Sequence, residues 1–295
     1  MPNEMKPTTR FRALMSRKQV TMMPSIGDAF SARLVAREGF EAVMSSGNAT
    51  SATRLGMPDV GVMTLTENAE NAGRIAAASG LPTFADADTG YGNALNVRRT
   101  VMEFERAGVA AIMLEDQVTP KRCGMLDGKQ VVRAAEMEMK IKAALDARRD
   151  DDLVIVARTD ARAVEGLASA IRRAERYQKA GADAIFVEGP RTLEEAEEIA
   201  RSIDIPLLYN VTPTGSVPSL DVATLERLGY RLLSCSVFMM LAALPGMQGF
   251  LRTLKTTGDV GQAGKTAASM SEYLDILGFS EWQRREGLYT AKADD

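Results

Sequence analysis

RAGVAAIMLED (residues 106–116) and KAGADAIFVEG (residues 179–189) are two versions of one pattern, in which a helix end and a glycine lead into a short apolar run that ends in an acid. The apolar runs have the composition of strands that are buried on both faces of a parallel sheet. The glycine suits the left-handed position that commonly ends a helix. A recurring helix–glycine–strand unit predicts an α/β fold, in which helices and parallel strands alternate.

The same alternation extends over most of the chain. Eight short apolar or β-rich runs predict strands at residues 20–24, 42–46, 83–86, 111–115, 154–158, 184–188, 207–211 and 231–234. Amphipathic segments between them predict helices at residues 29–38, 95–107, 134–149, 167–180 and 193–202. Eight such units predict a (β/α)8 TIM barrel. An open doubly wound sheet is the alternative, although no GxGxxG turn follows the first predicted strand.

The composition predicts one globular domain over residues 1–295, because no linker-like stretch interrupts it. Cys123 and Cys235 give no disulfide framework, which fits a reducing cytoplasm. No apolar run approaches the roughly 18 residues that a membrane span needs, and the N-terminus lacks the apolar core of a secretory signal. The net charge of −3 argues against a nucleic-acid surface.

The C-terminal segment has a different pattern. From residue 259 onward, helical stretches at 267–277 and 280–288 follow each other without strands between them. Because a barrel needs only its eight units to close, residues 259–295 are predicted to be a helical extension that caps the barrel or, as we favour, associates with a partner subunit.

The chain contains no histidine. This absence excludes Ser-His-Asp and Cys-His catalysis and removes the usual nitrogen ligand of zinc and copper. Any metal would be held by oxygen, which indicates magnesium or manganese. Acid–base chemistry is left to carboxylates, cysteine, lysine, tyrosine or bound water.

The stretch AAIMLEDQVTPKRCGMLDGK (residues 110–129) ends a predicted strand in two acids, Glu115 and Asp116. The loop that follows carries Lys121, Arg122, Cys123 and Gly124. Acids at a strand end and a thiol beside cations predict an active site covered by a mobile loop at residues 117–133. The neighbouring cations are expected to lower the pKa of the Cys123 thiol. A surface turn with a solvated charge pair is the alternative.

Polar residues follow most of the predicted strands, where the carboxyl ends of barrel strands converge on one face. They are Asp28, Ser46, Gly47, Asn48, Asp86, Asp88, Glu115, Asp116, Arg158, Asp160, Glu188, Asn210 and Thr212. Asp86 and Asp88, two apart on an extended chain, are predicted to point to one side and hold a divalent cation directly or through water, a capped helix start being the alternative. Arg158 on an apolar strand needs an anion, either Glu188 or a substrate, and a structural ion pair is the alternative.

Taken together, these motifs resemble the isocitrate lyase/phosphoenolpyruvate mutase superfamily and, within it, the short methylisocitrate lyase-like enzymes. The resemblance covers nearly the whole chain. Its motifs are LGMPD (55–59), DADTGYG (86–92), EDQ (115–117), PKRCG (120–124), ARTD (157–160), GADA (181–184) with Glu188, and Asn210.

The resemblance implies a (β/α)8 barrel whose last helix is swapped between subunits of a homotetramer, a dimer of dimers. It implies Mg²⁺, with Mn²⁺ as a substitute, held by Asp86 with Asp88 and Glu115 through water. The implied substrate-binding residues are Ser46, Gly47, Asn48, Asp59, Gly124, Glu188, Asn210 and Thr212. The implied catalytic residues are Glu115, Lys121, Arg122, Cys123 and Arg158, with Arg158 on the substrate oxygens and Cys123 as the general acid.

The implied reaction is carbon–carbon cleavage of a 2-hydroxy di- or tricarboxylate to a 2-oxoacid such as pyruvate, with Lys121 and Arg122 stabilising the carbanion. Three residues, Met125, Pro213 and Val217, are apolar where the family usually has polar groups, which predicts a smaller or less charged substrate such as an alkylmalate. The alternatives are a phosphonomutase, an oxaloacetate-type hydrolase or decarboxylase, and a non-catalytic oxoacid-binding relative. No residue stands out as the base.

Overall fold

A computed structural model of the chain describes residues 5–289 and contains one closed parallel barrel. Its eight strands are β1 (Thr21–Ile26), β2 (Val43–Ser45), β3 (Thr83–Asp86), β4 (Ala111–Glu115), β5 (Val154–Thr159), β6 (Ala184–Val187), β7 (Leu207–Val211) and β8 (Leu232–Cys235). Each strand pairs with the next, and β1 pairs in parallel with β8 to close the ring. The barrel prediction is therefore confirmed, and the open sheet is excluded.

One helix of the barrel unit precedes β1, and the others follow the strands in sequence. They are α1 (Pro7–Ser16), α2 (Ala29–Arg37), α3 (Gly47–Thr50), α4 (Leu65–Ser79), α5 (Ala94–Arg106), α6 (Ala134–Ala147), α7 (Ala161–Glu165), α8 (Leu167–Lys179), α9 (Leu193–Ser202) and α10 (Val222–Leu228), with a π-helical turn at Ser51–Leu55. Side-chain caps explain several starts: Asp28 accepts from the backbone N–H of Ser31, and Thr64 forms a capping box with Glu67. All five amphipathic segments are helices, within two residues of their predicted ends.

Successive side chains of a strand point to opposite faces of the sheet, and this alternation divides the core into two layers. Met44, Phe84 and Met113 belong to the cluster inside the barrel, whereas Ala85 and Ile112, their neighbours in sequence, pack between strands and helices. Each strand is buried on both faces, by the barrel interior on one and by the helices on the other. Its residues must therefore be apolar throughout, which explains the continuous apolar runs in the sequence.

Helix α1 closes the amino-terminal end of the barrel. The ring of Phe11 stacks on Phe84 with a centroid distance of 6.1 Å. At the same end, Arg12 donates a hydrogen bond of 2.9 Å to Asp183, which directly precedes β6. Because this end is filled by aromatic packing and ion pairs, access to the barrel interior is left to the carboxyl ends of the strands.

The chain divides into two compact units, Met1–Met239 and Met240–Asp295, so the second unit begins before the predicted start of the extension at residue 259. Its elements are α11 (Phe238–Thr257, which starts in the first unit), α12 (Val260–Ala263), a 3₁₀ turn (Gly264–Thr266), α13 (Met270–Ile276) and α14 (Phe279–Tyr289). The segment is helical, as predicted, but α13 starts after residue 267 because Ser269 provides its side-chain cap. Residues 1–4 of the predicted domain and 290–295 of the predicted extension lie outside the described residues. Within residues 5–289, no helix is both long and apolar enough to cross a membrane.

We predict that Phe84→Ala lowers the free energy of unfolding by about 3–5 kcal/mol, because Phe84 is fully buried and its removal leaves a cavity inside the barrel. Urea denaturation followed by circular dichroism measures the change. Leu95→Ala on α5 is the control, since Leu95 is 74% exposed and should change stability little. Equal effects of the two substitutions would contradict this account of the core.

Candidate active site

The carboxyl ends of the strands surround an open cavity, whose volume is about 450 Å³ when the solvent at its mouth is included. It is lined by Ser25, Met44, Ser46, Asn48, Asp59, Asp86, Met113, Cys123, Gly124, Met125, Arg158, Phe186, Glu188, Asn210, Ser234 and Ser236. Nine of these residues were predicted as site residues from the sequence: Ser46, Asn48, Asp59, Asp86, Cys123, Gly124, Arg158, Glu188 and Asn210. The structure therefore brings together residues that are far apart in the chain.

Arg158 is the buried cation of this cavity. Its guanidinium donates two hydrogen bonds to Asp160, from Nε at 2.9 Å and from Nη2 at 3.0 Å. Glu115 and Glu188 each lie 3.5 Å away. Burial acts to lower the pKa of Arg158, but Asp160, Glu115 and Glu188 together raise it well above its usual value. The expected partner, Glu188, is thus secondary: Asp160 is two residues along the same chain and has the bidentate geometry that guanidinium favours.

Gly124 brings the loop at residues 117–133 against Arg158. A Cβ atom at this position would lie 2.6 Å from Nη2 of Arg158 and 2.9 Å from Cδ of Glu188. These distances are shorter than van der Waals contact, so a side chain here would displace the ion pair or the loop. The loop therefore forms part of the cavity wall, and glycine is required where it touches the buried charges.

Cys123 presents its thiol to the cavity and is only 8% exposed. Its Sγ accepts a hydrogen bond of 3.2 Å from Nδ2 of Asn48, and its backbone N–H donates to the carbonyl of Asp59 at 3.0 Å. Burial raises the pKa of the thiol above its usual value. The expectation of a lowered pKa is wrong, because desolvation disfavours the thiolate more strongly than the nearby cations favour it.

Lys121 is buried and joins the loop to two other segments. Its Nζ lies 2.6 Å from Oδ1 of Asp59 and 2.8 Å from Oδ1 of Asp88. Burial acts to lower the pKa of Lys121, but the charges of Asp88, Glu115 and Asp59 raise it well above its usual value. Burial raises the pKa of Asp88 to about 6, although Lys121 opposes that shift. Lys121 lies outside the cavity lining and neutralises carboxylates beside it.

Asp86 and Asp88 are not part of one extended segment, yet their carboxylates approach the same point: a Cβ atom at Gly47 would lie 3.0 Å from Oδ2 of Asp86 and 3.2 Å from Oδ1 of Asp88. Asp86 is the last residue of β3 and lines the cavity, whereas Asp88 has a left-handed φ of 50° and turns towards Lys121. The strand ends at Asp86, so the turn at Asp88, and not strand alternation, sets the direction of the second carboxylate. Asp86 accepts hydrogen bonds from the backbone N–H groups of Gly47 at 3.3 Å and Asp88 at 3.1 Å.

Glu115 is a buried carboxylate to which no described residue donates a hydrogen bond. It is 1% exposed, and neither of its oxygens accepts a hydrogen bond from the described residues. Burial raises its pKa well above the usual value, against the opposing charges of Arg158 and Lys121. An anion in this state requires a cation, a proton or water as its partner.

Besides Asp88, Glu115 and Lys121, three more predicted site residues do not line the cavity. Arg122 donates from Nη1 to the carbonyl of Asp127 at 3.2 Å, within its own loop. Thr212 shares a hydrogen bond of 2.9 Å with Thr214. Gly47, an implied substrate-binding residue, donates its backbone N–H to Oδ2 of Asp86 at 3.3 Å.

Ser234 and Ser236, at the end of β8, line the cavity and were not predicted from the sequence. The hydroxyl of Ser234 donates to Oδ1 of Asn210 at 2.8 Å, and the N–H of Ser236 donates to the same oxygen at 3.2 Å. Asn210 therefore has its carboxamide oxygen occupied and its amide nitrogen available to an acceptor in the cavity. The signal was present in the sequence, since both serines lie at the carboxyl end of a predicted strand.

The fold and this cavity define a (β/α)8 barrel with a charged candidate active site at the carboxyl ends of its strands. Comparison with known proteins assigns the family: the model for phosphoenolpyruvate phosphomutase matches residues 11–255. The chain belongs to this family, within the phosphoenolpyruvate mutase/isocitrate lyase superfamily.

Individual relatives resemble the chain over nearly its full length. It is 41% identical to 2,3-dimethylmalate lyase of Eubacterium barkeri, over 97% of this chain and 99% of that protein. It is 40% identical to 2-methylisocitrate lyase of Aeropyrum pernix, over 98% of this chain and 93% of that protein. Among solved structures, an oxaloacetate acetylhydrolase with the inhibitor 3,3-difluorooxalacetate matches with a TM-score of 0.92 at 32% identity, over 98% of this chain and 99% of that chain. A 2,3-dimethylmalate lyase matches with a TM-score of 0.91 at 32% identity, over 99% of this chain and 98% of that chain.

We predict that Cys123 reacts slowly with iodoacetamide at neutral pH and that its rate keeps rising beyond pH 9. Each unit by which the pKa rises lowers the thiolate fraction about tenfold at a fixed pH, and burial raises the pKa of Cys123. Mass spectrometry of the single-thiol variant Cys235→Ser measures the rate. Cys123→Ser is the matched control, because it leaves the half-buried Cys235 as the single thiol. A faster reaction at Cys123 than at Cys235 at pH 7 would contradict the prediction.

Proposed function

We propose that the chain is a Mg²⁺-dependent carbon–carbon lyase that cleaves a 2-hydroxy dicarboxylate of the alkylmalate type to a 2-oxoacid such as pyruvate and a second carboxylic acid. The observation that carries this proposal is the buried Cys123 thiol, which faces a cavity rich in carboxylates and keeps its proton at neutral pH. Support comes from relatives named 2,3-dimethylmalate lyase and 2-methylisocitrate lyase. Two free cysteines support the cytoplasm as its location.

The residues at the carboxyl end of the barrel suit a hard divalent cation. Glu115 has two buried oxygens without hydrogen-bond donors, and Asp86 presents its carboxylate to the cavity. Across residues 5–289, no group of three or more Cys, Asp and Glu side chains converges closely enough to hold a metal ion alone. We therefore propose that Asp86 holds the ion, with Asp88 and Glu115 acting through water. Mg²⁺, or Mn²⁺ in its place, would polarise the substrate hydroxyl and lower its pKa.

Cleavage transfers electrons and protons in a defined way. A base takes the proton of the 2-hydroxyl, the carbonyl of the 2-oxoacid forms, and the electron pair of the broken C–C bond stays on the carbon beside the second carboxylate. Cys123 gives its proton to that carbon. A thiol with a raised pKa is still protonated at neutral pH, so it is in the correct state for a general acid.

Two cations support this reaction in different ways. Arg158 lines the cavity and is held in one direction by Asp160, and it would bind carboxylate oxygens of the substrate. We propose that Lys121 acts chiefly by fastening the loop to Asp59 and Asp88, which excludes water from the carbanion. Arg122 reaches the carbanion only when the loop rearranges, because its side chain bonds within the loop.

The cavity wall supports a small substrate with alkyl groups. Arg158 is the single cation among the lining residues, whereas Met44, Met113, Met125 and Phe186 contribute apolar surface. A tricarboxylate such as methylisocitrate would bring a third negative charge to a site that already contains Asp59, Asp86 and Glu188. An alkylmalate has one carboxylate fewer and suits the methionine side chains.

Hydrolysis of oxaloacetate is the second candidate. It is favoured by the serine hydroxyls of the cavity, Ser25, Ser46, Ser234 and Ser236, and by the structural match to oxaloacetate acetylhydrolase. Hydroxyl groups can position an attacking water, which hydrolysis requires and C–C lysis does not.

We predict that purified protein with Mg²⁺ releases a 2-oxoacid from 2,3-dimethylmalate faster than from methylisocitrate. The panel also contains isocitrate, citramalate, oxaloacetate and phosphonopyruvate, and a lactate dehydrogenase-coupled assay together with mass spectrometry reports the products. EDTA should abolish activity, and Cys123→Ser should lower kcat by about 10²–10⁴-fold because the carbanion loses its acid.

Cys235→Ser is the matched control and should retain activity, since Cys235 does not line the cavity. Faster turnover of methylisocitrate would overturn the alkylmalate assignment. Oxalate and acetate formed from oxaloacetate would favour the hydrolase, phosphonopyruvate turnover would favour the mutase alternative, and tight Mg²⁺–oxoacid binding without turnover would favour a non-catalytic relative.

We further propose that a second copy of the chain covers α11, as in a helix-swapped homotetramer. This helix spans twenty residues, and none of them is buried. Its apolar side chains include Leu241, Leu244, Met247 and Leu251, which are between 43% and 61% exposed. A surface of this kind is typical of a subunit interface.

We predict that the protein elutes as a tetramer in size-exclusion chromatography with light scattering, and that Leu244→Glu combined with Leu251→Glu yields smaller species. Two charges in an apolar interface are costly to desolvate. Leu95→Glu on the exposed face of α5 is the control and should leave the mass unchanged. A monomer at micromolar concentration would refute the interface.

A further inference from the structure

Asp116 is a fully buried carboxylate that lies behind the cavity and does not line it. It accepts four hydrogen bonds, from Tyr177 Oη at 2.7 Å, Thr159 Oγ1 at 2.8 Å, the backbone N–H of Asp160 at 2.9 Å and Arg173 Nη1 at 3.3 Å. The donors come from the end of β5 and from α8. A buried carboxylate with this many donors fixes their relative positions closely.

One arm of this network leads to Arg158. Oδ1 of Asp116 accepts from the backbone N–H of Asp160, the first residue after β5. Both carboxylate oxygens of Asp160 in turn accept hydrogen bonds from the Arg158 guanidinium. Asp116 therefore fixes the position of the Asp160 backbone, and so the position of the carboxylate that binds Arg158.

A second arm leads to the loop that carries Cys123. The N–H of Val132, near the end of the loop, donates to the carbonyl of Asp116 at 2.8 Å. Arg173 donates from Nη1 to the carbonyl of Val132 at 2.8 Å and to Oδ2 of Asp116. The N–H of Val132 is thus bonded to Asp116 and its carbonyl to Arg173, a partner of Asp116. These two hydrogen bonds fix the C-terminal end of the loop.

We infer that Asp116 is a positioning residue for the reaction: through Asp160 it sets the Arg158 guanidinium, and through Arg173 it anchors the loop that carries Cys123. The inference rests on the proposed function where catalysis is measured. Its geometric content, that Arg158 depends on Asp116, can be tested without any reaction.

Asp116→Asn is the informative substitution because the amide cannot serve both arms. If its oxygen faces the N–H of Asp160, its NH₂ group meets Arg173, which has no acceptor. If the amide is reversed, the N–H of Asp160 loses its acceptor instead. Either orientation releases one arm while the side chain keeps its volume.

Asp183, which directly precedes β6, offers a matched control at the amino-terminal end of the barrel. Its carboxylate accepts from the N–H of Ile155 at 2.9 Å, from Arg148 at 2.7 Å and from Arg12 at 2.9 Å. Asp183→Asn thus disturbs a comparable network at the amino-terminal end of the barrel, away from the cavity. Tyr177→Phe is a second control, because it removes the hydrogen bond from Tyr177 to Asp116 and the one that Tyr177 accepts from Arg173 Nη1 at 3.3 Å. The hydrogen bonds from Asp160 to Asp116 and from Arg173 to Asp116 and Val132 remain.

The experiment measures binding of oxalate in the presence of MgCl₂ by calorimetry, and kcat on the best substrate of the panel. We expect Asp116→Asn to weaken binding and lower kcat by about 10–100-fold, as loss of an orienting partner commonly does. Asp183→Asn and Tyr177→Phe should stay within about threefold of wild type in both readouts, although both lower the melting temperature. Equal effects in all three variants would show a purely structural role and overturn the inference.

Crystal structures of wild type and Asp116→Asn separate this inference from the proposed function. Loss of the bidentate pair between Asp160 and Arg158, or displacement of Val132, supports positioning even if no substrate is turned over. An unchanged Arg158 and loop overturn it, whatever the activity. If Asp116→Asn fails to fold, Arg173→Lys takes its place, since the three N–H donors of lysine cannot replace the five hydrogen bonds that Arg173 gives to Asp116, Val132, Tyr177 and Glu165. Unchanged oxalate binding and an unchanged position of Val132 would then overturn the inference.

Discussion

Charge balance at the carboxyl end of the barrel is the constraint on which the rest of the site depends. Seven acids are buried in the described chain, namely Asp59, Asp86, Asp88, Glu115, Asp116, Asp160 and Glu188, against four buried cations, Lys121, Lys140, Arg158 and Arg173. Buried charges are tolerated only when they are paired and hydrogen-bonded. Burial raises the pKa values of Asp88, Glu115 and Glu188, and the charges of neighbouring acids add to that shift. The excess of acid makes a divalent cation a natural partner for this end of the barrel.

The cations are divided between two tasks. Arg158 is gripped by Asp160 and still faces the cavity, so its charge is held in a fixed direction. Lys121 instead joins the loop to Asp59 and Asp88, and Gly124 lets that loop approach Arg158 closely. The same ion pairs that neutralise buried acids therefore also bring the Cys123 thiol over the cavity. One set of ion pairs therefore both stabilises the buried acids of the site and positions the side chains that the proposed reaction needs.

Most of the fold follows from local sequence patterns. The eight strands were predicted at or near their observed limits because each is a continuous apolar run, as burial on both faces demands. Strand ends identified Asp86, Glu115, Arg158 and Glu188, because polar residues rarely end a buried strand without a reason. Ser234 and Ser236 are also polar residues at a strand end, that of β8, and they line the cavity although they were not predicted as site residues.

The sequence by itself determined the barrel, the location of the site at the carboxyl ends of its strands, and the exclusion of histidine chemistry, since composition and short-range periodicity suffice for these. Only the tertiary structure decided which charges meet. Lys121 lies far in sequence from Asp59 and Asp88 yet forms ion pairs with both, and Arg122 beside it bonds within its loop. The Cys123 pKa is raised rather than lowered because desolvation depends on the atoms packed around the thiol, and sequence neighbours do not reveal that packing.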